Sequence, residues 1–275
     1  MKTGPGNMPG PSLWKCFIVL EVTFFLLLPG YALGSIALGV SPPFLEVQMG
    51  SGVNRRVAIE VTNAAGVAVT VRCFLADLTL SPQGEVLLLP EGSSPLSLSP
   101  CVVLQDARVF TLEPGERRKV FLRLKIPPDV REGRYGAVVF ETVPEGSGEV
   151  AVSIRTGALL FLLPRIRKTE RISVTVKRDD EGSLRLSLEN AGNVHVRVRG
   201  EVLVRTREGK LLHRAVFPQN EKNLLILPGG VREITVEWEK RPFPPGEYEV
   251  EVRVFGEDRR RLRPLGALRV FLALP

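Results

Sequence analysis

Hydrophobic and polar residues alternate along most of the chain after residue 37, which is the pattern of β-strands with one buried face. Clear cases are RVAIEVT at residues 56–62, RKVFLRLKI at 118–126 and RISVTVK at 171–177. Turn-forming residues separate these runs, and helical periodicity is hard to find after residue 40. The pattern therefore predicts an all-β protein.

The region 126–167 predicts two long strands joined by a loop at Glu145–Gly148. The second strand begins with alternation, with Val150, Val152 and Ile154 on one face, and then becomes apolar on both faces. The segment with two apolar faces consists of Ala158, Leu159, Leu160, Phe161, Leu162 and Leu163. We predict that this segment is a partner-binding edge; the alternative is that a second domain covers its outer face.

Landmarks repeat in the same order along the two halves of the chain, which indicates an internal duplication. The stretch VTNAAGVAV at residues 61–69 matches LENAGNVHV at 188–196, and LEPG at 112–115 matches ILPG at 226–229. A Gly-x-Tyr follows in each half, ending at Tyr135 and at Tyr248, where the ring and hydroxyl suit a structural role at the start of a strand. We predict two tandem immunoglobulin-like β-sandwich domains, at residues 38–164 and 165–275.

The first 37 residues have the layout of a secretory signal peptide. Lys2 and Lys15 precede the apolar run CFIVLEVTFFLLL at 16–28, and Pro29-Gly30 and several small residues follow. The alternative is an uncleaved membrane anchor, but the run is short for a span and contains a glutamate. We expect an exported protein, located in the periplasm or outside the cell.

Removal of residues 1–37 leaves two cysteines, Cys73 and Cys101. An even pair in an exported protein suggests one disulfide, and the alternative is two buried thiols.

Charge is uneven along the chain, because residues 38–164 carry 12 basic and 13 acidic side chains whereas residues 165–275 carry 23 and 16. The second domain could therefore face an anionic wall polymer, although alternating arginines are also typical of a solvated sheet face. Aromatic residues do not interleave with the basic ones, so nucleic-acid binding is not expected.

The sequence contains no recognisable catalytic constellation, and we predict a protein without enzymatic activity, cofactor or metal. His195 and His213 lie on separate predicted strands without ligand spacing, so both are interpreted as exposed sheet residues. Asp77 and Glu141 interrupt apolar strands; they could form a paired acidic site, but outward-facing strand positions explain them more simply. The glycines between Glu145 and Glu149 join two strands rather than a strand and a helix, which is the wrong context for a phosphate-binding loop.

The runs REGRYGAVVF at 131–140 and SIRTGALLFLLP at 153–164 resemble the end of the N-terminal domain of periplasmic pilus-assembly chaperones of the PapD-like type. The resemblance implies a sandwich whose last strand is lent to a partner subunit by strand addition. That family binds the partner's terminal carboxylate with an arginine on the first strand and a lysine on the last. Alignment to Pro164 puts Leu159 at the lysine position, and Pro43 and Phe44 stand where the arginine is expected.

The first domain also resembles, more weakly, WxL-interacting envelope proteins of Gram-positive bacteria. Two functions follow as expectations. The first is a chaperone-like binder of pilus or cell-surface subunits that uses strand addition at the edge of the first domain. The alternative is a cell-envelope scaffold or adhesin that binds wall polymer or surface proteins.

Overall fold

The computed structural model describes residues 38–144, 153–178, 183–219, 223–236, 246–258 and 261–274. The predicted signal peptide at residues 1–37, the loop at 145–148 and two of the three alternating valine and isoleucine positions, Val150 and Val152, lie outside the described residues. The described residues all belong to one compact unit, residues 36–275.

All elements of the described residues are β-strands, so the all-β prediction is confirmed. Those of the first half are β1 (Leu38–Ser41), β2 (Phe44–Met49), β3 (Asn54–Asn63), β4 (Val69–Leu80), β5 (Val86–Leu89), β6 (Val102–Leu104), β7 (Val109–Leu112), β8 (Arg117–Lys125), β9 (Arg134–Thr142) and β10 (Arg155–Pro164). Those of the second half are β11 (Ile172–Arg178), β12 (Leu184–Asn190), β13 (Val196–Arg205), β14 (Leu211–Phe217), β15 (Leu224–Ile226), β16 (Val231–Val236), β17 (Gly246–Asp258) and β18 (Arg261–Leu274). Within the described residues of both halves, no helix is long and apolar enough to cross a membrane.

The strands form two tandem β-sandwiches. In the first, one sheet has the order β1-β3-β8-β6 and the other the order β2-β10-β9-β4-β5, with β7 also paired to β4. In the second, the sheets are β11-β12-β16 and β14-β13-β17-β18, with β15 also paired to β13. The separation of domains at 164/165 stays a prediction about independent folding, because the two sandwiches belong to one compact unit.

The two sandwiches share a topology, because β3, β4, β8 and β9 pair with one another as β12, β13, β16 and β17 do in the second sandwich. A buried asparagine ends the first strand of each set. Asn63 Nδ2 donates to the carbonyls of Val67 (2.8 Å) and Leu112 (3.1 Å), and Asn190 Nδ2 donates to those of Val194 (2.8 Å) and Ile226 (3.0 Å). These bonds tie the matching turns of the repeat together.

The glycines of the repeated Pro-Gly turns complete this arrangement. Gly115 and Gly229 have φ of 74° and 70°, a region that glycine adopts without steric cost. Their N–H groups donate to the backbone carbonyls of Asn63 and Asn190, at 2.9 and 2.8 Å. The asparagine and the glycine are therefore a coupled pair in each sandwich, which is the physical reason for the repeated sequence.

Each sandwich has its own apolar core, and a third cluster lies where they meet. The first core includes Ile59, Leu122 and Leu160, and the second includes Leu186 and Val252, all with no exposed surface. The third cluster, here called the junction cluster, joins residues of both sandwiches. Its buried members are Leu78, Leu96, Tyr135, Phe161, Leu163, Val194 and Leu227.

Candidate partner-binding edge

The predicted partner-binding segment forms most of β10, and the structure places it inside a sheet rather than at an edge. On one side it pairs antiparallel with β9, with Ala158 opposite Val138 and Phe161 opposite Tyr135. On the other side it pairs in parallel with β2, from Leu159 opposite Phe44 to Pro164 opposite Met49. Of the predicted segment, residues 159–162 are therefore paired on both sides, Leu163 is paired with β2, and Ala158 alone has no partner in β2.

The two apolar faces of this segment have separate structural partners. Ala158, Leu160 and Leu162 belong to the first core. Phe161 and Leu163 face the opposite way, into the junction cluster, where residues of the second sandwich cover them. The second sandwich thus supplies the cover for these outer-face residues, which is the alternative stated from the sequence. Whether any of Ala158–Leu163 contacts a partner protein stays a prediction.

The first residues of β10 present an uncovered edge. Pairing with β2 begins at Leu159, whose N–H donates to the Pro43 carbonyl at 2.9 Å. Hydrogen-bonding direction alternates along a strand, so the N–H and C=O of Arg155 and Gly157 point the same way as those of Leu159. No strand within the described residues pairs with them there. We call Arg155–Ala158 the open segment.

The cause of the open segment is the path of the N-terminal strands. β1 pairs with β3 in the first sheet, and Ser41 is its last paired residue. The chain then passes through Pro42 and Pro43 and joins the second sheet as β2, beside β10. Because a proline has no N–H to donate to a neighbouring strand, strand pairing is interrupted at this crossing. β10 is therefore covered only beyond this crossing.

The outer face beside the open segment carries a charged cluster. The Glu141 carboxylate accepts from Arg72 Nε at 3.1 Å and from Arg155 Nε at 3.2 Å, one oxygen for each arginine. The hydrogen bonds from Arg72 and then Arg155 hold the pKa of Glu141 below its usual value. Both guanidinium groups also lie over the Phe74 ring, at 5.4 and 5.9 Å. Glu141 faces outward as the sequence predicted. Its carboxylate is nonetheless nearly buried, because the two arginine side chains bind it.

The junction between the sandwiches contains residues that sequence reasoning missed. His195 was interpreted as exposed, but only 8% of it is exposed, so that interpretation is wrong. Its backbone N–H donates to the Tyr135 hydroxyl at 2.7 Å, and its ring packs edge-on against Tyr135 and Phe161. Tyr135 is therefore structural as predicted, but its hydroxyl binds the other sandwich rather than its own. In the sequence, the match of Tyr135 with Tyr248 was the one sign that Tyr135 has a structural role, and it did not indicate a contact with the other sandwich.

Ion pairs and backbone hydrogen bonds close the same junction. Glu46 on β2 lies 3.5 Å from both His195 Nε2 and Arg197 Nη2. The His195 hydrogen bond is the largest cause that lowers the pKa of Glu46. On the other side of the junction, the Glu233 N–H donates to the Pro82 carbonyl at 2.8 Å and Arg232 Nη2 to the Gln83 carbonyl at 3.0 Å. The β4–β5 turn is thereby tied to β16.

The two positions expected to bind a terminal carboxylate lie opposite one another. Leu159 and Phe44 are registered partners in the ladder between β10 and β2, and neither is basic. The Arg197 guanidinium carbon lies 5.8 Å from the Phe44 ring centroid, and Arg197 pairs with Glu46. Positions 44 and 159 therefore do not supply the basic pair that the resemblance implies.

The predicted Cys73–Cys101 disulfide is not formed in the structure, where both cysteines are free and buried. Both belong to the first core: Cys73 lies on β4, whereas Cys101 lies in the turn just before β6. Burial raises the pKa of the Cys73 thiol to about 12 and that of Cys101 to about 11. The structure therefore shows the alternative, two buried thiols.

Three arginines of the basic second half are paired with glutamates on the outer face of β13, β14 and β17. Glu201 binds Arg214 and Arg253, at 2.8 and 3.3 Å, and Glu251 binds Arg205 and Arg253, both at 2.8 Å. This network is a solvated sheet face and gives no support to the predicted wall-polymer site. Among the described residues, no group of three or more His, Cys, Asp or Glu side chains is placed to hold a metal ion.

Comparison with known proteins places the chain by fold rather than by sequence. No family model matches the chain, and no curated protein matches it. A solved structure of a chaperone–tip adhesin complex, described as vital for synergistic activation of CFA/I fimbriae biogenesis, covers 87% of this chain and 100% of its own, at 16% identity and a TM-score of 0.51.

Two further solved structures are similar at lower scores. The class 5 fimbriae chaperone CfaA covers 87% of this chain and 100% of its own, at 15% identity and a TM-score of 0.49. A complex of the chaperone CsuC with the tip subunit CsuE of Acinetobacter baumannii Csu pili covers 85% and 97%, at 10% identity and a TM-score of 0.48. The predicted resemblance is confirmed at the level of the fold: the chain has the tandem immunoglobulin-like sandwiches of fimbrial chaperones.

Proposed function

We propose that this protein is an exported, non-enzymatic binder of pilus or cell-surface subunits, and that it acts as a chaperone by strand addition at the open segment of β10. The observation that carries the proposal is the direction of the Arg155 and Gly157 backbone groups, which point away from β9 where β2 does not reach. An unpaired row of N–H and C=O groups is a template for another strand.

The inner side of this edge suits an incoming strand. Leu38 and Val40 of β1 are partly buried and pack against the first core, as does Leu45 of β2. Thr156 is half-buried on the same inner face as Ala158. A partner strand beside the open segment would place alternate side chains over this margin of the core, and burial of apolar surface would stabilise it.

The open segment replaces most of the site predicted from the sequence. A partner strand could pair with Leu159–Leu163 only if β2 left the sheet, which would break the ladder from Phe44 to Met49. Pairing with Arg155–Ala158 costs no existing ladder, so the structure favours the earlier residues. Ala158 is the one residue of the predicted segment Ala158–Leu163 that also belongs to the open segment.

The fold comparison supports protein subunits as the class of partner. One similar structure is described as a chaperone–tip adhesin complex, and its whole chain is covered. We accordingly place this protein in the periplasm or cell envelope, together with the subunits that it would bind. The alternative function, a wall-polymer scaffold, has no comparable observation in its favour.

Photo-crosslinking in cells tests the proposal. A photoreactive amino acid at position 155, whose side chain is 55% exposed, should crosslink to a pilus or surface subunit. The matched control position is Arg123, an exposed residue on β8 of the other sheet, and should not. Equal crosslinking at both positions, or none at 155 in cells that make the subunits, would contradict the proposal.

A pair of variants then tests strand addition itself. Arg155→Pro removes an N–H that points to the open edge and spares the ladder with β9, so subunit binding should be lost. Arg155→Ala also removes the side chain but keeps the N–H, and should retain binding. Loss of binding in both variants to the same degree would show that the backbone edge is not the binding element.

A further inference from the structure

We propose that the open segment selects strands that carry an acidic side chain and a bulky apolar side chain two residues apart on the same face. This inference rests on the proposed function and adds the chemistry of the partner. Residues directly opposite one another in a ladder share a face and lie about 5 Å apart, so each open position recognises one partner side chain.

Arg155 sets the acidic position. Its side chain is on the outer face and is 55% exposed, and its Nε and Nη2 groups are held by Glu141 Oε1. Arg72 is bound by the other oxygen of Glu141, so two positive charges share one carboxylate. The cluster therefore has a net charge of about +1, and Nη1 of Arg155 makes no hydrogen bond within the described residues. A carboxylate on the opposing strand would supply the missing negative charge.

Gly157 sets the bulky position. It lies two residues further along the same outer face, opposite Val139. A Cβ atom at Gly157 would lie 2.7 Å from the Val138 carbonyl oxygen, so this position cannot carry a side chain without movement of the backbone. Gly157 itself therefore puts no side chain on the outer face, and Phe74 and Leu159, which pack beside Val139, are only half-buried. A large apolar side chain on the partner can cover a glycine in a neighbouring strand.

The residue between these two positions lies opposite Thr156 and faces inward. There it meets the margin of the first core, so an apolar side chain is favoured. The predicted partner sequence is acidic–apolar–bulky apolar, or the reverse order if the strand runs the other way. Either order satisfies the same three contacts, because the residue opposite each position lies on the same face of the sheet whether the partner strand runs parallel or antiparallel.

Short synthetic peptides test this selection by fluorescence anisotropy with the full chain. The probe peptides contain Glu-Val-Phe or Phe-Val-Glu within an alternating Thr/Val background. Controls replace the glutamate by lysine or the phenylalanine by alanine. We expect the glutamate peptide to bind roughly two- to fivefold more tightly than the lysine peptide, the range of one exposed cross-strand charge pair. The alanine peptide should be weaker by a similar factor.

The variant Arg155→Glu supplies the decisive control, because it should reverse the charge preference and favour the lysine peptide. Equal binding of all peptides to the natural protein would overturn the selection rule and leave strand addition standing. A preference that Arg155→Glu does not change would also overturn it, because another site would then be responsible. If no peptide binds at all, both the selection rule and strand addition at the open segment fail.

Discussion

The replacement of Phe161 by alanine tests the finding that the apolar outer face of β10 is covered by the second sandwich. The ring has no exposed surface and makes three edge-on contacts: with Phe44 and Tyr135 at 5.0 Å and with His195 at 5.1 Å. Truncation of a buried phenylalanine to alanine costs about 3–5 kcal/mol. Each aromatic pair adds about 0.5–1.5 kcal/mol beyond burial, so the upper part of that range is expected.

Urea-induced unfolding followed by circular dichroism gives the free energy of unfolding for this variant. Phe271→Ala is the matched control, because Phe271 lies on β18 with 57% of its surface exposed, and a surface change of this kind alters stability by about 0.5 kcal/mol or less. A loss below about 1 kcal/mol for Phe161→Ala would refute the packing described here. It would mean that the second sandwich does not cover the outer face of β10.

Three further predictions follow from the interior and the junction. Asn63→Ala and Asn190→Ala should each lower the free energy of unfolding by about 2 kcal/mol, roughly 1 kcal/mol for each of the two Nδ2-to-carbonyl hydrogen bonds lost, and a loss below about 1 kcal/mol in only one of the two variants would contradict the equivalence of the two turns. Cys73 and Cys101 should react very slowly with a thiol reagent in the native protein, because burial raises both thiol pKa values, and should react fully after unfolding; rapid native labelling would show that the first core is open. Because the pKa of Glu46 is lowered in the folded protein, the ionised carboxylate stabilises the fold at pH values above its ordinary pKa of 4.5. This stabilisation is lost as the pH falls through the lower pKa of the folded state. The variant Glu46→Gln should therefore lose less stability between pH 5 and pH 3 than the natural protein. An identical pH profile would show that the contacts of Glu46 with His195 and Arg197 do not contribute.

The sequence predicted the fold well because alternation and turn residues are local signals. The match of residues 61–69 with 188–196 correctly indicated a duplication. The role of Asn63 and Asn190 could not be derived in the same way, because their hydrogen bonds reach carbonyls 49 and 36 residues away. The loss of alternation in β10 showed that both faces needed cover, but only three-dimensional contacts identify what provides it.

The junction and the open segment were beyond sequence reasoning for a related reason. His195 lies in an alternating run, which predicts an exposed position on a sheet face unless another domain packs there. The pairing of β2 with β10 is parallel and joins residues more than 100 positions apart, so periodicity contains no trace of it. Without knowledge of that pairing, the sequence alone pointed to the most apolar residues of the strand, and the unpaired residues that precede them carried no signal.

Amide hydrogen exchange along β10 tests the central claim most directly. In the free protein, the N–H groups of Arg155 and Gly157 should exchange quickly, whereas those of Thr156 and Ala158, which face β9, should be protected. When a pilus or surface subunit is bound, Arg155 and Gly157 should become protected while exchange at Leu159, already paired with β2, changes little. Protection that appears at Leu159–Leu163 instead, or no change at Arg155 and Gly157 in a stable complex, would contradict strand addition at the open segment.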